Sequence, residues 1–159
     1  MKPITEEEAL LKLGAMCASA EHCTGELRAK MARWGMEEAA QKRIIRRLSD
    51  EKYVDDARYC RFFVRDKIRY NKWGRRKVEQ ALWQKQIPKE IYGPVLDAVP
   101  DADYLEVLRP LLRQKEPTIK ARNDYERGMK LLQFALGRGF DMNIIRQCID
   151  EPEAEDEDD

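Results

Sequence analysis

Apolar residues recur along this chain at intervals of three and four, and they never alternate with polar ones over the length of a strand. Helices are therefore the predicted element throughout. Thr5 and Glu8 form a capping box, and Ala9, Leu10, Leu13, Met16 and Cys17 line one side of the helix it opens. Thr24 is placed to cap a second helix, carrying Leu27 and Met31 and ending near Trp34-Gly35. A third, over 37–49, has Ala40, Ile44, Ile45 and Leu48 as its stripe. Asp55-Asp56 caps a long helix through Tyr70, and Trp73-Gly74 opens one with Val78 and Leu82. Pro88, at the first helical position that proline favours, opens one with Ile91, Val95, Leu96 and Val99 aligned. Segments 104–114, 123–136 and 141–149 complete the series.

These segments repeat. Met36, Ile87 and Phe140 each follow a short break, at spacings of 51 and 53 residues. Nine residues before them stand Leu27, Val78 and Leu131; four after them stand Ala40, Ile91 and Ile144; eight after come Ile44, Val95 and Cys148. The expectation is an all-α protein of three tandem three-helix repeats, each burying a small core, stacked into an elongated, curved rod. The repeats are expected at 1–52, 53–100 (the central, basic one) and 101–149.

Composition narrows the function. With 159 residues and 38% charged residues, against about 25% in average domains, the chain has one domain's length and a thin, segmented core. No run of 18 apolar residues exists, and the N-terminus is acidic where a secretion signal would be basic. No membrane association is expected, and the cytoplasm is the expected location. Cys17, Cys23, Cys60 and Cys148 are scattered and His22 is the single histidine, so no zinc set forms and the thiols are expected to be free and buried or half-buried. There is no glycine-rich phosphate cradle. Neither catalysis nor a cofactor nor a metal is expected.

The zero net charge averages unlike segments. Residues 150–159 hold eight acidic residues and no basic one, which leaves a net of +8 on the rest. A block of like charge cannot bury a core, so this tail is expected to be disordered. Residues 58–85 hold ten basic residues against Asp66 and Glu79. Arg58, Arg61, Arg65 and Arg69 step by three and four along one helix face, next to an apolar stripe of Ala57, Cys60, Val64 and Ile68. Lys72, Arg75, Arg76 and Lys77 follow directly. These eight cations are the candidate binding residues for a polyanion or an acidic protein groove, since arginine's planar fork makes two charge-assisted hydrogen bonds at once. The acidic tail would compete with that partner. A solvated face and a merely solubilising tail are the competing reading, weakened because a solubility face mixes its signs. Trp73 is read as a core or boundary residue.

Three stretches resemble the RecX family of regulatory proteins: Leu48-Ser49-Asp50-Glu51-Lys52-Tyr53-Val54-Asp55-Asp56-Ala57-Arg58-Tyr59-Cys60 with Phe63-Val64; Gly74-Arg75-Arg76-Lys77-Val78 with Leu82 and Lys85-Gln86-Ile87-Pro88; and Lys130-Leu131 with Phe134 and Arg138-Gly139-Phe140. The resemblance covers about residues 5–150. Gln86 departs from it, since the family usually has glycine there, and this alters one helix C-terminus; the acidic tail lies outside the family pattern. The resemblance implies a non-enzymatic modulator of RecA recombinase, and a monomer is expected. It would lie in the groove of the RecA filament on DNA and inhibit ATP hydrolysis, strand exchange and co-protease activity in recombination, DNA repair and the SOS response. Direct DNA contact is also implied for some members. A second function class stays open beside it, a helical DNA-binding protein acting directly on nucleic acid, as a transcriptional regulator would. Arg58, inside the Asp-Asp-x-Arg stretch, is a candidate for a structural pair with a nearby carboxylate.

Overall fold

A computed structural model describes residues 3–149; the acidic tail, Asp150–Asp159, lies outside the described residues, and with it the expectation of disorder. The described chain is all-α, with no strand among its residues. Its helices are α1 (Glu6–Ser19), α2 (Thr24–Arg33), α3 (Glu38–Asp50), α4 (Asp56–Arg69), α5 (Arg75–Gln84), α6 (Lys89–Asp97), α7 (Asp101–Lys115), α8 (Asp124–Gly137) and α9 (Met142–Cys148). One short 3₁₀ turn, Glu116–Thr118, follows α7 and was not foreseen, because a single turn carries no apolar period.

The three breaks share one backbone device. At the end of α2, Gly35 has φ 75°, at the end of α5, Gln86 has φ 64°, and at the end of α8, Gly139 has φ 92°. In each case the next residue's N–H reaches back to a carbonyl five positions earlier: Met36 to Met31, Ile87 to Leu82 and Phe140 to Ala135. The left-handed residue itself bonds three back, to Ala32, Trp83 and Leu136. This paired closure satisfies carbonyls left over at a helix C-terminus, and the residue after it packs inward. Ile87 and Phe140 are accordingly buried. The repeat read from sequence is thus a repeat of helix ends.

Two start signals differ from expectation. The residue capping α2 is Cys23, whose N–H donates to the Glu26 carboxylate at 3.1 Å. Thr24 lies inside the helix, its N–H and hydroxyl both donating to Asp56, at 2.8 and 2.7 Å. A side chain 32 residues away took over the capping role that Thr24 was expected to play. Pro88 stands just before α6 and accepts its first hydrogen bond, from Tyr92, at 3.2 Å.

The described chain divides into two compact units, residues up to 63 with 81–95, and residues 64–80 with 96 onward. In the first, α1 and α2 both pack on α3. Its core is Ala9, Leu13, Leu27, Met31, Ile44, Leu48 and Val54. In the second, α7 packs on α8 and α9, and the buried residues include Val64, Ile68, Val78, Leu108, Leu131, Ala135, Phe140 and Ile145. The four thiols are free, and burial pushes Cys23 up to about 11 and Cys60 up to about 12. Neither forms a thiolate at neutral pH, so they behave as small apolar side chains.

Candidate functional site

The Tyr53–Arg58 stretch is a knot of helix ends in the first unit. Asp55 accepts from the Arg58 N–H at 3.1 Å and so caps α4, while Asp56 caps α2. The Arg58 guanidinium donates to Glu21 at 2.7 Å and to the carbonyls of Lys52 and Tyr53 at 3.1 and 3.3 Å. Those carbonyls follow the end of α3, where a cation is favourable. Arg58 is therefore occupied inside the fold, with the carboxylate that its sequence context suggested.

Farther along α4, Cys60, Val64 and Ile68 are buried, with Ala57 half-buried, as the apolar stripe required. Arg61, Arg65 and Arg69 are exposed and have no carboxylate within ion-pair distance among the described residues. At 100° per residue, Lys67 lies about 160° around the helix from both Arg65 and Arg69. Its ammonium stands 5.3 Å from the centre of the half-buried Trp73 ring, and Lys77 stands 5.0 Å from the same ring. Each contact is a cation–π interaction. Lys72, with φ 59°, and Arg76 are exposed. Arg75 is held by Asp97 at 2.6 Å. The eight cations named from sequence thus fall into separate groups: Arg58 and Arg75 paired internally, Arg61, Arg65 and Arg69 on one flank of α4, and Lys72, Arg76 and Lys77 around the start of α5.

That start is a joint built entirely within the second unit. The Gly74 N–H donates to the Arg138 carbonyl and the Arg76 N–H to the Gly139 carbonyl, both at 2.9 Å. A Cβ on Gly74 would stand 2.3 Å from the Phe140 nitrogen, and one on Gly139 would stand 2.5 Å from the Lys77 Cβ. Only glycine fits at either side. Arg138 joins the same place, its guanidinium donating to the Asn71 carbonyl at 3.3 Å. Sequence reasoning missed Arg138 as a site residue, treating it as part of a family signature. The repeat register was the available signal, because Arg138 stands where Lys85 stands one repeat earlier.

The first unit holds the equivalent joint. There Gly25, at the start of α2, faces the end of α5 so closely that a Cβ would stand 2.1 Å from the Lys85 carbonyl oxygen. Glu26 pairs with Lys85 at 3.4 Å. Burial raises the Glu26 carboxyl, but the Cys23 N–H and the Lys85 charge outweigh it and hold the group below its ordinary range. By the 51- and 53-residue register, Lys77 stands in the place of Glu26 and Arg138 in the place of Lys85. The first joint sets a carboxylate against an ammonium. The second sets two cations in those places, with Lys72 and Arg76 beside them.

Helix α5 therefore begins Arg75-Arg76-Lys77 with no acid in its first turn. A helix N-terminus carries partial positive charge and favours anions, so three cations there cost stability. An anion bound at the surface would relieve that cost. Nearby, a cleft of about 100 Å³ is lined by Arg75, Tyr104, Asp101, Asp141 and Asn143 among others. The Tyr104 hydroxyl is buried in it without a hydrogen-bond partner, and burial pushes its pKa up to about 12. Among the described residues, no cluster of His, Cys, Asp or Glu is arranged to hold a metal, and no helix is long and apolar enough to cross a membrane.

Comparison with known proteins identifies the architecture. Residues 55–92 match the model of the second three-helix domain of RecX, and residues 101–149 that of the third. A regulatory protein RecX of Prosthecochloris aestuarii is 31% identical over 82% of this chain and 84% of its own length. One from Vibrio campbellii is 30% identical over 92% and 90%. Among solved structures, a RecX regulatory protein superposes with a TM-score of 0.84, at 18% identity, over 92% of this chain and 73% of its own. RecX from Lactobacillus salivarius gives 0.82 at 19%, over 90% and 93%. At those identities the structural likeness speaks for the fold.

Proposed function

We propose a function from one premise: this chain belongs to the RecX family of regulatory proteins. We infer that it is a non-enzymatic regulator of RecA, binding the RecA filament on DNA and lowering its ATP hydrolysis, strand exchange and co-protease activity. What supports a binding role for this surface is the second joint, where Lys77 and Arg138 occupy the places of an acid–base pair. Cations at a helix start oppose the helix dipole, and they point to an anionic counterpart, either the carboxylates of a protein groove or phosphates.

RecA's ATPase on single-stranded DNA tests the proposal. Added at less than one molecule per RecA protomer, the protein should lower hydrolysis; unchanged hydrolysis at equimolar folded protein would refute it. The second reading, direct DNA binding, is favoured by the exposed Lys72 and Arg76. It requires affinity for duplex without RecA, falling with salt at a log–log slope of about −0.9 per phosphate neutralised.

A further inference from the structure

We propose that the cleft at the starts of α5, α7 and α9 seats a lysine or arginine side chain of the protein partner. Arg75 opens α5, Asp101 opens α7 and Asp141 precedes α9, and all three line this cleft with Asn143. Each belongs to the second unit. Tyr104 lines it too, a residue only 4% exposed, and its hydroxyl has no hydrogen-bond partner among the described residues. Buried polar groups are nearly always met, so a hydroxyl left open in a cleft points to a ligand that meets it.

Charge decides the ligand class. Arg75 is already paired with Asp97 at 2.6 Å, so those two cancel. Asp101 and Asp141 have no ion pair among the described residues, and the Asp141 side chain makes no cap bond to α9. The dipoles of α7 and α9 favour an aspartate at each start, but a dipole end is equivalent to only about half a charge. Each carboxylate keeps the remainder for a ligand. The hydroxyl, with its pKa pushed up to about 12, is neutral at physiological pH and adds no third charge. An anion meeting that hydroxyl would face both carboxylates, which sets the cleft apart from a phosphate contact. A cationic N–H instead donates to the hydroxyl oxygen and to the carboxylates in charge-assisted bonds. The cleft of about 100 Å³ has room for roughly three waters at about 30 Å³ each, which suits the head of one side chain. Phe140 and Ile144 offer its stem an apolar wall that an inorganic cation would leave unused. The source of the side chain rests on the filament-binding function proposed above; the ligand class does not.

The test uses the full-length chain and two probes, N-acetylarginine amide and N-acetylcitrulline amide, which share a shape and differ in charge. Backbone amide NMR should show saturable shifts at Tyr104, Asp141 and Asn143 with the arginine probe, at a Kd of about 1–10 mM, the range open to so few heavy atoms. The citrulline probe should give none. Tyr104→Phe should weaken binding about three- to tenfold and, having lost only an unpartnered hydroxyl, melt no lower than the parent. Asp101→Asn with Asp141→Asn should weaken it about tenfold, and asparagine serves a helix start as well as aspartate does. No shift, equal shifts from both probes, shifts confined to other residues, or a lower-melting Tyr104→Phe chain would overturn the proposal. On the RecA filament the double variant should also bind about tenfold more weakly, while its affinity for oligothymidylate without RecA should not fall. Unchanged filament binding by that variant would overturn the seating of a partner side chain. Arginine-probe binding by a chain that binds no RecA filament would keep the ligand class and refute the function from which the source is taken.

Discussion

Each joint sets the start of one helix tightly against the end of another through a glycine, and the two differ in how they are held and charged. In the first unit, the start of α2 is held by side chains: Asp56 caps Thr24, and Glu26 caps Cys23 and meets Lys85. In the second, two N–H groups at the start of α5 meet two carbonyls at 2.9 Å, and Arg75 pairs with Asp97 and Arg138 with the Asn71 carbonyl. Backbone bonds carry the closure there, and the first turn of α5 holds cations and no acid, at a cost in helix stability that the first joint does not carry. In a repeat protein, a cationic surface can arise at the copy whose closure runs through backbone bonds and leaves no acid in the helix's first turn.

The steric plan common to both joints should be the easiest thing to break. Gly74→Ala should destabilise by about 3 kcal/mol or more, since the methyl meets backbone that cannot turn aside. Gly25→Ala should do likewise at the first joint. Gly35→Ala, with open space around it, should cost only the left-handed penalty of about 1–2 kcal/mol. Equal melting of all three variants would show that the joints are loosely fitted.

Next in size comes the contrast between occupied and open arginines. Arg58→Ala removes hydrogen bonds to Glu21 and two carbonyls and should cost about 2 kcal/mol. Arg61→Ala should stay within about 0.5 kcal/mol. Denaturant midpoints at unchanged slope measure both, and a costly Arg61→Ala would move that residue into the fold. Lys77→Glu then converts the second joint to the charge plan of the first. It should melt no lower than the parent while weakening filament binding about tenfold, or 1.4 kcal/mol. Retained binding would exclude this joint as the contact surface.

The smallest expected effect separates the joints by pH. Glu26 has its pKa lowered in the fold, so it contributes stability above its unfolded value of about 4.3, lost as pH falls through the folded one. Hydrogen exchange at the start of α2 should therefore accelerate below that pH, and Glu26→Gln should remove the dependence. The start of α5, closed by main chain, should show no matching change from its own joint. Equal acid sensitivity at both starts would remove the distinction.

Much of this was legible from residues alone, for reasons that are local. Helix starts and apolar stripes depend on neighbours within four positions, so all nine described helices were read near their observed bounds. The 51- and 53-residue register was visible because the residues after these three closures, Met36, Ile87 and Phe140, are apolar. Gln86 obeys the geometry without being glycine, holding φ 64° at a cost of roughly 1–2 kcal/mol. Reading Thr24 as a cap failed because its outcome depended on Asp56, and no window of sequence contains both.

The all-α class, the repeat, the stripe that α4 buries and the excess of cations in 58–85 all follow from local residue order. Which cations find partners inside the fold follows from packing. Arg58 met Glu21 across 37 residues and Arg75 met Asp97 across 22, and outside that segment Arg138 came to the Asn71 carbonyl across 67. A helix face is set by a 100° step that any reader can count. A charge's partner is set by which distant segment packs beside it, and the Coulomb energy that decides its role depends on that separation and on how far water screens it.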